Sequence, residues 1–170
     1  MLEAERNSIF GEWIEAHKAI LFKVARAYGA THSDRQDLFQ EIALQVWNSV
    51  DAFRGDAAVT TWIYRVALNT ALAWKRKEAK HGRGRQDLEM ETGLLTSSPG
   101  RDPRLGWIYR QIGELDEVNR SLALLMLDGF SYREMSEILG LSESNVGVKI
   151  NRIKSALADK LAKESQDESR

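Results

Sequence analysis

The sequence predicts an all-α protein of two helical domains joined by a flexible linker. Apolar residues recur at helical spacing through both halves of the chain. The only prolines, Pro99 and Pro103, share one short stretch and leave the rest free to be helical. Between the two halves, residues 81–103 carry Gly, Ser and Pro clusters (GRGRQ, TGLLTSSPG, RDP) over a length unusual inside a compact domain. The expected boundaries are a first domain over 1–80, a linker over 81–104 and a second domain over 105–170.

The first helix is expected over 8–28, with Ile9, Trp13, Ala16, Ile20 and Val24 on one face and Gly29 stopping it in a left-handed conformation. The second covers 34–50, with Leu38, Phe39, Ile42, Ala43, Val46 and Val50 as its apolar face. Phe53-Arg54-Gly55-Asp56 reads as a turn. A third helix follows over about 60–80, with Thr60 or Thr61 as its N-cap. In the second half, Asp116 caps a helix that runs to Asp128 and ends at Gly129. Ser131-Tyr132-Arg133-Glu134 is a capping box that opens the next helix, Gly140 closes it, and Ser142 caps a long last one.

Composition removes several classes of function. With no cysteine in 170 residues, disulfides, thiolate metal sites and thiol nucleophiles are all excluded. No apolar run approaches the roughly 20 residues that span a bilayer, and the N-terminus MLEAERNSIFGEW lacks the pattern of a signal peptide. A cytoplasmic protein is expected. His17, His32 and His81 lie far apart without metal-ligand spacing. Neither a phosphate-binding glycine loop nor a nucleophile elbow occurs, so no enzyme and no cofactor are expected. Net charge is −1, yet Lys75, Arg76, Lys77, Lys80, Arg83 and Arg85 face only Glu78 in their stretch. A near-neutral chain with one basic stripe suggests directed DNA contact plus a second, non-DNA partner.

Three helix faces carry candidate function. Residues 131–161 follow helix-turn-helix grammar: a short capped helix, a tight Gly-containing turn, then a longer helix able to enter a major groove. On that helix Val146, Ile150, Ile153, Leu157 and Leu161 line one side. Asn145, Val148, Asn151, Arg152 and Ser155 lie opposite, with Lys149 on the flank. Those polar groups suit base edges and phosphates, and Val148 suits a thymine methyl; an ordinary helical hairpin with a solvated face fits the same spacing. On the third helix Ile63, Val66, Ala67, Ala71 and Trp74 are apolar, while Arg65, Asn69 and Arg76 form a narrow stripe beside Trp62 and Ala73. Cations with an edge aromatic suit single-stranded DNA, although Trp62 as core and Arg65 as a surface ion pair would give the same pattern. On the second helix Asp37, Gln40, Glu41, Leu44 and Asn48 share the outer side with Trp47 at its edge, a pattern of either a protein interface or a solvated face.

DLFQEIALQVW, DAFRGDAAVTTWIYRVALNTA and LDGFSYREMSEILGLSESNVGVKINRIKSAL resemble the extracytoplasmic-function RNA polymerase sigma factors of the sigma-70 superfamily. The resemblance spans nearly the whole chain in the family's order. It implies that the first domain is sigma region 2 and the second is sigma region 4 with its helix-turn-helix. It further implies that Asp37, Leu38, Gln40 and Glu41, with Leu44 on the same helix, dock on the clamp helices of the polymerase. Phe53, Arg54, Asp56, Trp62, Arg65 and Asn69, with Arg76 on the same stripe, would melt and capture the −10 element. Gly147, Val148, Lys149, Asn151 and Arg152, with Asn145, would read the −35 element. The implied partners are core RNA polymerase, promoter DNA and, as for many family members, an anti-sigma factor. No membrane insertion is implied, and the free protein is expected to be a monomer. Three positions depart from the family pattern: Gly147 stands at a common Lys or Arg, Val59 at a common aromatic, and Asp116 at a common Pro. A stand-alone helix-turn-helix regulator is the alternative.

Overall fold

The computed structural model describes residues 1–81 and 102–169, and within them seven α-helices and one 3-10 turn. Most of the expected linker, including Arg83, Arg85 and Pro99, lies outside the described residues. Two compact units divide at Asp102 and Pro103.

In the first unit α1 (Glu3–Tyr28), α2 (His32–Ser49) and α3 (Val59–Lys80) pack against one another around a shared core. Leu21, Val24, Leu38, Ile42, Val46, Ile63, Tyr64, Ala67, Leu68 and Ala71 fill it. Several expected details are corrected. α1 begins at Glu3, earlier than its apolar pattern starts, with Glu3 and Glu5 in the first turn where acidic groups complement the helix dipole. Ala16 is exposed. Gly29 is extended (φ −81°) and not left-handed. Its lack of a side chain serves a close approach instead: a Cβ there would sit 2.6 Å from Arg35 Cγ and 2.9 Å from both Arg35 Cα and the Ala25 carbonyl oxygen. α2 starts earlier than expected because Thr31 and Asp34 form a reciprocal capping box.

After α2 the chain makes a 3-10 turn, Val50–Ala52, and then the turn at Phe53-Arg54-Gly55-Asp56, where Gly55 has φ +78°. That left-handed conformation is one a β-carbon disfavours. α3 is entered from Ala58 with no side-chain cap, and Thr61 faces the core, so neither threonine is the N-cap.

The second unit holds α4 (Pro103–Glu114), α5 (Glu117–Leu127), α6 (Tyr132–Leu139) and α7 (Glu143–Asp167). Pro103 opens α4, where its fixed φ and missing N–H cost nothing. The expected caps are in place. Asp116 accepts from the Asn119 N–H, Ser131 and Glu134 close a capping box, and Ser142 accepts from the Asn145 N–H. Gly129 and Gly140 take positive φ at the turns. α5, α6 and α7 bury Leu122, Leu124, Leu125, Met135, Ile138, Val146, Ile150 and Ile153 together. Leu161 belongs elsewhere: it is 54% exposed on the last turns of α7, past the core.

Candidate nucleic-acid and protein interfaces

In the first unit the turn and the start of α3 converge. Ala52, Phe53, Arg54, Asp56, Ala57, Trp62 and Arg65 line a recess of about 190 Å³. The aromatic residues build its wall. Phe53 meets Trp13 edge-on at 5.2 Å and Trp62 at 5.6 Å. The Trp62 indole N–H donates to Ser49 Oγ at 3.0 Å, which fixes the ring at the mouth with part of it exposed. Phe53 is half-buried, so it supports the turn as well as lining the recess. Arg54 and Asp56 are exposed, and Asn69 and Arg76 lie exposed further along α3. Lys75 pairs with Glu78 at 3.2 Å, while Arg76, Lys77 and Lys80 are exposed near the end of the helix.

The outer side of α2 presents Asp37, Gln40, Leu44 and Asn48 to solvent. Glu41 is half-buried and accepts from Gln45 Nε2 at 3.0 Å. Leu38 is not on this surface; it is completely buried and holds α2 to the core. Leu44, by contrast, is 50% exposed. The sequence reading passed over Phe22. This residue lies about 200° around α1 from Ile20 at 100° per residue, on the side expected to be solvated. It is 49% exposed and stacks on Phe39 of α2 with ring centroids 4.5 Å apart. Phe22, Phe39, Gln40, Gln36, Arg35 and Ala25 line a second recess of about 230 Å³. Arg35 donates from Nε to the Gly29 carbonyl at 3.0 Å. Burial pulls its pKa down, partly opposed by the Asp34 charge. An aromatic off the main stripe was the available signal for this recess.

In the second unit α6 and α7 form the two helices of a helix-turn-helix, with Gly140 in the left-handed conformation between them. The Ser136 hydroxyl bonds the Leu141 carbonyl and ties α6 to the turn. Val146, Ile150 and Ile153 face inward, while Asn145, Val148, Asn151 and Arg152 are exposed on α7. Val148 is 47% exposed, an apolar group on an otherwise polar face. Lys149 is half-buried on the flank. Its charge reaches Asp116, whose pKa is held down chiefly by the hydrogen bond from the Asn119 backbone N–H, against the opposing effect of burial. Gly147 lies under the Tyr132 ring: a Cβ there would be 3.5 Å from Tyr132 Cε2, an ordinary contact.

The two units thus combine a loop-and-helix recess walled by aromatics with a helix-turn-helix, a pairing suited to unpaired bases and to a duplex groove. Residues 13–81 match the family model for sigma-70 region 2, and residues 105–157 match that for sigma-70 region 4. The chain is 27% identical over 173 residues to the RNA polymerase sigma factor CnrH of Cupriavidus metallidurans, covering 92% of this chain and 88% of that one. It is 28% identical over 145 residues to the ECF RNA polymerase sigma-E factor of Escherichia coli, covering 75% and 74% of the two chains. The fold matches the sigma factor RpoE of Bartonella quintana, solved with the anti-sigma factor NepR, at a TM-score of 0.75 and 18% identity over 90% of this chain and 96% of that one. It also matches CnrH, solved with the cytosolic domain of CnrY, at 0.65 and 23% over 92% and 89%.

The chain belongs to the sigma-70 family of RNA polymerase sigma factors, in its extracytoplasmic-function type. Its function is promoter recognition and transcription initiation with RNA polymerase. A stand-alone helix-turn-helix regulator would account for region 4 and leave the match over residues 13–81 without a role.

Proposed function

We propose that the outer side of α2 docks on the polymerase clamp, that the recess at the start of α3 captures unpaired bases of the −10 element, and that the exposed side of α7 reads the −35 element. The observation that carries this reading is the recess itself, because residues of the turn and of α3 meet there around one concave, aromatic-walled space. Asp37, Gln40 and Glu41 supply polar docking groups around the exposed Leu44, a mix typical of a protein interface. The buried Leu38 supports that face from inside. Trp62 and Arg65 offer stacking and charge to a displaced base, and Asn69 and Arg76 continue the track along α3. Asn145, Val148, Asn151 and Arg152 are aimed at base edges, Lys149 at the phosphates, and Gly147 lets the helix backbone come close.

Opening is driven by binding energy. Unstacking a base costs a few kcal/mol, and stacking returns about 1–3 kcal/mol per base. The chain makes and breaks no covalent bond in this scheme and works where transcription occurs, in the cytoplasm. An anti-sigma protein is a further proposed partner, since the similar RpoE chain was solved with the anti-sigma factor NepR.

The test is transcription and permanganate footprinting with core enzyme added to the full chain. Trp62→Ala and Asn69→Ala should leave duplex binding near wild-type and reduce opening. Asp37→Lys with Glu41→Lys should abolish core binding without loss of helicity. Wild-type opening by both alanine variants, or normal core binding by the folded double variant, would overturn the corresponding assignment.

A further inference from the structure

α1 reaches the segment before the recess at two separate points. Near its start, Arg6 forms an ion pair with Asp51, in the 3-10 turn that leads into Phe53-Arg54-Gly55-Asp56. The same guanidinium lies over the Trp47 ring, 4.7 Å from its centroid. The Trp47 indole N–H donates to Asn7 Oδ1 at 2.8 Å. Two turns further along α1, Trp13 packs edge-on against Phe53 at 5.2 Å, and Phe53 passes the contact to Trp62 at 5.6 Å. Between these anchors Val50 is buried. The entry to the recess is therefore held by α1 on one side and by α3 on the other.

Stability alone does not account for the Arg6 contacts. The ion pair is partly solvated, with side chains 24% and 41% exposed, and such pairs contribute little to folding. What the cluster does supply is geometry. One planar guanidinium pairs with a carboxylate through a terminal nitrogen while its face lies on an indole, and lysine cannot do both. A base-capturing recess benefits from being set before its ligand arrives, because ordering a loop at the moment of binding subtracts from affinity.

We propose that Arg6 and Trp13 are positioning residues for promoter opening: without touching DNA, they hold the Val50–Phe53 segment so that the recess is preformed. The inference rests on the reading of that recess as the −10 site. None of the residues taken from the sequence as DNA-binding lies on α1, so it extends the determinants of melting to a helix with no assigned role in it.

The experiment uses holoenzyme assembled from core polymerase and the full chain, on a duplex promoter, with opening read by permanganate and core binding read separately. Arg6→Ala should bind core and promoter duplex as wild-type does and lower the open fraction about fivefold, the equivalent of an exposed ion pair at the upper end of its usual range. Arg6→Lys, which keeps the charge but not the flat face, should fall between the two. Trp13→Phe, which retains an aromatic core group, should also reduce opening. Trp62→Ala in the same assay reports on the recess itself. Loss of opening in Trp62→Ala with wild-type opening in folded Arg6→Ala overturns the proposal and leaves the recess assignment standing. Wild-type opening in both Trp62→Ala and Asn69→Ala overturns the assignment and the proposal with it. If Arg6→Ala loses helicity, Arg6→Lys decides: reduced opening with wild-type core binding supports positioning, and wild-type opening overturns it.

Discussion

Ile150 and Arg152 are two positions apart on α7 and should behave as opposites. Ile150 is completely buried between Val146 and Ile153, whereas Arg152 is exposed. Truncating Ile150 to Ala removes three carbon atoms, a transfer loss of about 2.4 kcal/mol at about 0.8 kcal/mol per carbon. Incomplete collapse of the lining, where Leu122, Leu125 and Met135 share the core, adds about 1 kcal/mol. For a unit of the size of Pro103–Arg170, a total near 3.5 kcal/mol lowers Tm by about 15–25 °C. Arg152→Ala should change stability by no more than about 0.5 kcal/mol. It should instead weaken −35 recognition by about 1–3 kcal/mol, or roughly fivefold to 150-fold, if the guanidinium makes a bidentate base contact. Far-UV circular dichroism melts of the full chain measure the first pair of values. Holoenzyme binding to wild-type and −35-substituted promoters measures the second. An Arg152→Ala chain that unfolds while Ile150→Ala stays stable would refute the phase of α7 and every DNA-facing assignment on it.

Two further outcomes follow from local geometry. Gly29→Ala should destabilise the first unit by about 1–3 kcal/mol, because the new Cβ meets backbone atoms of α1 and α2 at 2.9 Å; urea unfolding of the full chain at unchanged midpoint would contradict this. Asp116 caps α5 with its pKa held below the ordinary 3.8 by the Asn119 N–H. Its contribution is therefore complete above pH 3.8 and is lost as pH falls through the lower folded value. Asp116→Asn keeps a capping oxygen and should flatten the acid limb of the stability–pH curve between those two values. An identical acid limb in both chains would rule out this carboxylate as a source of the slope.

Three helices of the second unit, α5, α6 and α7, were legible because each carries its own punctuation. Asp116, Ser131 and Ser142 are side-chain caps, and Gly129 and Gly140 supply left-handed turns, all within a few residues of the elements they bound. The first unit hid more, because its boundaries depend on partners distant in sequence. The first turn of α1 is polar and shows no apolar period; its contacts with Trp47 and Asp51 span about 40 positions of chain. Gly29 looked like an ordinary helix stop, but what demands a glycine there is Arg35 across the α1–α2 turn. Thr60 and Thr61 matched a cap by residue type alone, and packing drew Thr61 inward. For the candidate sites, spacing separated the inner and outer sides of α2, α3 and α7. It gave no means of seeing that Phe22 would stack on Phe39, or that Phe53 would be wedged between two tryptophans.

Gly147 has a consequence for how such a protein diverges. Helix interiors disfavour glycine, yet here one occupies a half-buried position in α7 with only the Tyr132 ring nearby, at a distance that leaves room for a β-carbon. A substitution at this position would add a side chain on the side of α7 proposed to face the promoter without displacing any part of the core, and would tend to strengthen the helix that carries it. On the proposed reading of α7, promoter choice can therefore be retuned at this residue by a single substitution, with the folded framework left intact.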